Sequence, residues 1–387
     1  MTIAEKTIMD PQVVIDAAEA MAPTIAERAP EIEAARRLPR DLLDRLIDAG
    51  CFRFLVPPSH GGLGADMGQA MQLFGALARA DGSTGWTVMI GAGSWCDLSG
   101  LPRPSFDALF ANGPDVIVAG AFNPSGRITP TDEGYVVSGR WAFASGCEHA
   151  DWLWGNCVEG FDENGPQLRL AVFSPDQVVI EDTWNVAGLR GTGSHHFHVD
   201  DVVVDASRTS RVLVDEPCID APIVRVPAPS LYALVIASVA LGIAQGALDD
   251  VVALARDKVP LLAHGALATD PVFQLDLATA ETDVRAARAL LHETTDDVWS
   301  AAVDGRELTV EQRARARAAA VWATERAAGV TAAAYRLGGG SALYADSALQ
   351  RRLRDINALT QHFLVKRGTL VTAGAILAGN EVELTVF

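Results

Sequence analysis

Hydrophobic and polar positions fall into three regimes along the chain. Between residues 10 and 112 apolar residues recur mostly at helical spacing: Leu42, Leu43, Leu46 and Ile47 form one stripe, Gly50 stops it, and the spacing resumes from Met67 to Ala80. The intervening VPPSHGGLGAD (56–66) reads as loop, and Asp81 and Ser83 stand where they cap a further helix through GWTVMIGAGSW. Near residue 115 the pattern shifts to short β-rich runs such as DVIVAGAF, GYVVSGRWAFASG, LRLAVFS and HHFHVDDVVV, punctuated by Gly, Pro and Asp, which predict an antiparallel β domain. From Pro229 the helical period returns in four stretches, 230–257, 271–303, 309–337 and 346–378, whose short breaks predict an antiparallel four-helix bundle. The expected class is α+β, with an N-terminal helical domain (1–115), a middle β domain (116–222) and a C-terminal bundle (223–387).

A length of 387 residues requires more than one core. Lys and Arg number 31 against 49 Asp and Glu, a net charge of −18 that repels phosphate backbones and anionic membranes, so no nucleic-acid or membrane partner is expected. Cys51, Cys96, Cys147, Cys157 and Cys218 are odd in number and show no CxxC spacing, which suits reduced thiols in a cytoplasmic protein. The opening MTIAEKTIMD lacks the apolar core of a signal peptide. Val226 to Leu248 carries no charge and is long enough to span a bilayer. It is rich in Ala, Gly and Ser, contains Gln245 and lacks a basic flank and an aromatic belt, so it reads as a helix buried on all sides.

The order of helices, β domain and bundle, together with LPRDLLDRLIDAGCFRFLVPPSHGGLGAD, SGRWAFASGCEHADW, GLRGTGSHHFHVDDVVV and GGGSALYADSALQRRLRD, resembles the acyl-CoA dehydrogenase-fold flavoproteins over nearly the whole chain. DGSTGW, AGAFNPSGR, GRWAFASG and RRLRDINALTQH look most like the two-component flavin-dependent monooxygenases, the aromatic-hydroxylase branch of that fold. The resemblance implies an oxygenase component that takes reduced FMN or FAD from a separate flavin reductase, adds O2 at C4a, and hydroxylates an aromatic or related small molecule. It also implies a homotetramer. The dehydrogenases commonly carry a catalytic Glu eight residues after their Arg-Asp signature; here that position is Phe363, and no acid lies between Ile356 and Val365. His362 stands beside it, as in the monooxygenase branch.

The resemblance makes His362 and Ser145 the catalytic candidates. An imidazole titrating near neutrality can take a proton from a phenol; the alternative is a core histidine on a buried helix face. Seven residues from Asp355, His362 is expected on the same side of one helix, roughly 10 Å along the axis at 1.5 Å per residue. Ser145 either bonds the flavin near N5 or is a turn serine satisfying its own backbone. Phe122 and Asn123 of AGAFNPSGR join the expected flavin contacts. Trp141 and Phe143 alternate on a strand, so both are expected on one side, lining the ring pocket or packing a core. Gly338, Gly339 and Gly340 let backbone N–H groups approach a phosphate, or form a helix cap and turn. Lys258 stands where the dehydrogenases place an FAD-binding Arg, which leaves FMN and FAD equally open. Arg351, Arg352, Arg354 and Asp355 are expected to be solvated or paired at subunit contacts.

His195, His196 and His198 lack an acid or Cys at ligand spacing, so no metal is expected. Some members of the branch carry a second histidine just ahead of the tryptophan matching Trp95; this chain has Gly93 and Ser94 there. Two other readings stay open: a dehydrogenase with a displaced base, for which Glu381 and Glu383 are candidates, and a flavin-binding protein without catalysis.

Overall fold

In the N-terminal third, acidic side chains close the exposed amides that open three of the helices. The computed structural model describes residues 9–163 and 165–382. In it α1 (Pro11–Ala35) begins where the Asp10 carboxylate accepts from the Gln12 amide. The short α2 (Arg40–Asp48) buries Leu42, Leu43 and Leu46. Asp66 and Gln69 form a reciprocal capping box on α3 (Met67–Ala80), and Asp81 caps α4 (Gly82–Gly93) through Thr84. A 3-10 turn (Ser94–Leu98) and α5 (Arg103–Leu109) complete this part.

The chain then enters one seven-stranded sheet: β1 (Val118–Thr131), β2 (Gly134–Trp141), β3 (Trp152–Asp162), β4 (Gly165–Phe173), β5 (Val179–Glu181), β6 (His196–Val204) and β7 (Thr209–Arg211). Their order is β5-β6-β2-β1-β3-β4-β7. The sheet is mixed rather than wholly antiparallel, because β1 and β3 run parallel. Trp141 organises it. The indole stacks on Phe197 at 4.9 Å, donates to the Asn156 carbonyl at 2.8 Å, and is fully buried. It lies over Gly126, Gly139 and Gly155 on three neighbouring strands, where a methyl group would collide with it.

The expected sharing of one face by Trp141 and Phe143 is therefore corrected. β2 ends at Trp141, Phe143 turns to φ +68°, and its ring is 69% exposed. Trp141 packs the sheet core, the second of the two readings left open for it.

After α6 (Pro222–Arg225) come α7 (Ala228–Asp257), α8 (Pro271–Val303), α9 (Val310–Gly338), α10 (Ala348–Leu359) and α11 (Thr369–Leu377). The uncharged stretch forms the N-terminal two-thirds of α7, and the helix's most apolar window is 94% buried within this chain. Each Leu, Ile or Val buried there contributes roughly 1.5–3 kcal/mol. The expected helix over 346–378 is two helices: α10 stops at Leu359, and a 3-10 turn (Phe363–Val365) precedes α11. His362 thus lies outside the helix that carries Asp355, and the expected helical relation between them does not hold. Arg351, Arg352 and Asp355 are buried within the chain, not solvated. Glu383 lies outside the described residues.

Loop 182–195 locks the layers together. The Leu189 amide donates to the Asp355 carboxylate at 2.6 Å, Arg354 bonds the Ala187 carbonyl and pairs with Glu33 of α1, and Arg36 pairs with Asp182. Replacing Trp141 by Ala should destabilise the protein by about 3–5 kcal/mol, the usual cost of emptying a large aromatic site. Urea unfolding followed by circular dichroism checks this, and a loss below about 1 kcal/mol would show that the sheet does not depend on the indole.

Candidate active site

Trp86 is the residue that brings the two sequence candidates together. It sits on α4, held by the Asp81 cap, and its indole N–H donates to the Ser145 hydroxyl at 3.0 Å. The same indole meets the His362 imidazole edge-on at 5.6 Å. His362 in turn lies 5.0 Å from the Phe363 ring, and Phe363 lies 6.2 Å from Phe122. The DGSTGW motif carried Trp86, but nothing in it marked the indole as the bridge.

Ser145 ends a directional chain of hydroxyls. Thr192 Oγ donates to the Leu189 carbonyl at 2.8 Å. A hydroxyl has one hydrogen, so Ser194 must donate to Thr192 (2.6 Å) and Ser145 to Ser194 (2.7 Å). Ser145 is thereby left as an acceptor, with one lone pair taking the Trp86 N–H. Close by, the Thr87 hydroxyl is buried with no partner among the described residues, and its methyl lies 3.4 Å from where a Cβ on Gly146 would stand. A buried unpaired hydroxyl costs free energy unless a ligand engages it. An acceptor oxygen, an orphaned hydroxyl and aromatic rings within one small volume suit a planar ring with a polar edge, such as an isoalloxazine.

His362 is a neutral imidazole at physiological pH. Burial, reinforced by the positive charges of Arg317 and Lys366, pushes its pKa down to about 4. The expectation of a titration near neutrality is corrected by that desolvation. Its Nδ1 accepts a weak bond from the Leu364 amide at 3.4 Å, which assigns the proton to Nε2. Among the described residues nothing bonds Nε2.

The remaining candidates divide. Phe122 belongs to this aromatic wall and also meets Trp154 at 5.1 Å. Asn123 is exposed and bonds Ser125. Lys258 donates to the Gly338 carbonyl at 2.6 Å, and Gly339 turns at φ +54° beside the Lys258 ammonium. The spacing of Lys258 from the glycines gave no hint that they meet. No hydrogen bond, ion pair or ring contact joins this second cluster to Ser145 and His362 among the described residues. His195 Nδ1 accepts from the Thr183 and Trp184 amides, and His198 pairs with Glu181. No group of three or more His, Cys, Asp or Glu able to hold a metal occurs among the described residues.

The acyl-CoA dehydrogenase N-terminal domain matches residues 12–98, and the acyl-CoA dehydrogenase C-terminal domain matches residues 234–367. The indole-3-acetate monooxygenase of Acinetobacter baumannii is 35% identical over 93% of each chain. The flavin-dependent monooxygenase oxygenase subunit HsaA of Rhodococcus jostii is 34% identical over 89% of this chain and 92% of its own. The crystal structure of 3-HSA hydroxylase from Rhodococcus sp. RHA1 superimposes with a TM-score of 0.88 at 30% identity, covering 97% of this chain and 99% of the other. The chain belongs to the acyl-CoA dehydrogenase family. Within it, the protein takes its place among the flavin-dependent monooxygenases rather than the dehydrogenases.

The depressed His362 pKa fixes the sign of a pH effect. The folded value lies below the ordinary 6.5, so His362 contributes stability fully above about pH 6.5 and loses it as pH falls toward 4. Urea unfolding between pH 7 and 4.5 is expected to show a steeper loss for wild type than for His362→Gln. Parallel curves would indicate a solvated imidazole.

Proposed function

We propose that the protein is the oxygenase component of a two-component system and hydroxylates an aromatic small molecule, with Ser145 and His362 at the reacting centre. The observation that carries this is the Trp86 indole, which donates its N–H to the Ser145 hydroxyl and meets the His362 imidazole at 5.6 Å. Two relatives support the reading: one is named as an oxygenase subunit, another as an indole-3-acetate monooxygenase. A reduced flavin, FMN or FAD supplied by a separate reductase, provides the electrons that activate O2 for transfer of one oxygen atom to the substrate ring.

The chain's own residues do the rest. Ser145 and Thr87 offer one acceptor and one free hydroxyl to the polar edge of the ring. Phe122 and Phe363 give an apolar wall that excludes water and stacks an aromatic substrate. Neutral His362 offers its Nε2–H as a donor to oxygen developing negative charge at the substrate. It is therefore a hydrogen-bond donor first, and not the near-neutral base that its residue type alone suggests.

The second cluster supports an assembled form. Lys258 ties the end of α9 to the loop after α7, and in the segments following each end of this tie Leu261 and Leu262 are 92% exposed, Leu343 72% and Tyr344 69%. Large apolar side chains left on an open surface support an interface. We read it as the contact of a homotetramer in which the triglycine turn and Lys258 reach a neighbour's flavin phosphate.

With reduced flavin and O2, phenols or indoles should give hydroxylated products. His362→Ala should lower product formation roughly 10²–10⁴-fold while raising hydrogen peroxide release. Bleaching of bound oxidised flavin by an acyl-CoA, with no oxygenated product from any aromatic compound, would overturn the reading in favour of a dehydrogenase.

A further inference from the structure

A polar pair outside the Ser145–His362 group borders the same aromatic wall. Asp97 lies in the 3-10 turn after α4, and Tyr232 lies in the first turns of α7. The Tyr232 hydroxyl donates to Asp97 Oδ2 at 2.6 Å and sits 3.3 Å from the Gly93 carbonyl. Among the described residues no donor reaches the other carboxylate oxygen, Oδ1. Burial raises the Asp97 pKa to about 7, yet the residue keeps accessible surface, so the carboxyl is deep but borders space rather than tight packing. Gly93 adds to that space: a methyl there would meet nothing nearer than the Tyr232 ring at 3.9 Å and Leu55 at 4.0 Å.

Phe122 connects this end to the reacting centre. It lies edge-on to Tyr232 at 5.6 Å and to Phe363 at 6.2 Å, and Phe363 lies 5.0 Å from His362. A buried acid with one oxygen unengaged destabilises the fold, because desolvation is only half compensated. Among the described residues no cation pairs with Asp97, and its one hydrogen-bond donor is the Tyr232 hydroxyl, so the second oxygen has no structural partner.

We propose that Asp97, oriented by Tyr232, is the substrate-recognition residue of the pocket, its free oxygen accepting a hydrogen bond from the ring N–H of an indole or the O–H of a phenol. The proposal rests on the oxygenase reading for its substrate class. A ring lacking that donor leaves Oδ1 unpaired, and a substrate presenting a carboxylate there meets a like charge or competes for the same hydrogen. Recognition of one buried donor separates analogues far better than shape alone.

Binding without turnover tests this. Full-length protein is titrated calorimetrically with indole and 1-methylindole, and with phenol and anisole. Wild type should favour the donor of each pair at least roughly ten-fold. Asp97→Ala should bind both members alike. Tyr232→Phe, which removes the orienting hydroxyl, should narrow the ratio, and Asp97→Asn, which keeps an acceptor oxygen, should retain most of it. Near-ultraviolet circular dichroism reports folding; if Asp97→Ala does not fold, the contrast between Tyr232→Phe and Asp97→Asn decides. Unchanged discrimination in Asp97→Ala overturns the proposal, as does a wild type that binds neither indole nor phenol or does not distinguish the paired ligands. Intact discrimination with no oxygenated product under reduced flavin and O2 would sink the oxygenase reading and leave Asp97 as the donor-recognising residue.

Discussion

The bond from the Leu189 amide to the Asp355 carboxylate is the joint between bundle and sheet, and the site is assembled on what it fixes. Burial and the neighbouring Asp81 charge push the Asp355 pKa up to about 7, opposed by Arg351. Such a group is tolerated only because the backbone hydrogen bond holds it. Gly188 lies so close to the Arg354 backbone that any side chain would collide, and the loop is therefore pinned to α10. From this pinned segment the Leu189 carbonyl starts the run of hydroxyls that ends at Ser145. A shift of the loop by an ångström would break that run, so the position of a single hydroxyl depends on contacts among three parts of the chain.

Charge is managed oppositely inside and outside. The sequence carries a net −18, and many surface acids pair with arginines, as Asp41 and Glu31 do with Arg28. Around the site desolvation works toward neutrality instead: it lowers His362 and raises Asp97. A pocket whose titratable groups are driven toward their uncharged forms suits an uncharged aromatic guest, and its few hydrogen bonds gain strength from the low local dielectric.

Much of the architecture was legible because it rests on local periodicity. The stripe at Leu42, Leu43 and Leu46, the cap at Asp81 and the apolar run of α7 each state their own environment within a few residues. The misses were non-local or depended on a single dihedral. Nothing between Leu359 and Phe363 is a helix breaker, so the end of α10 was invisible, and His362 was placed on a helix it has already left. Phe143 takes a positive φ without being glycine, which no alternation rule anticipates. The parallel pairing of β1 and β3, the Lys258–Gly338 tie and the Asp97–Tyr232 pair join residues far apart in sequence. Resemblance proposed Ser145 and His362 as candidates; only the fold revealed that Trp86 contacts both.

The run of hydroxyls has a polarity that reaches beyond stability. Each link passes its lone hydrogen inward, toward the Leu189 carbonyl, so none is left over at Ser145. Whatever meets that oxygen from outside must bring a hydrogen of its own. A heterocycle edge carrying N–H would be welcomed there, while the same edge bearing only a lone pair would face another lone pair. At such a contact, two molecules of one shape that differ by a single hydrogen would be told apart by a peptide carbonyl neither of them touches.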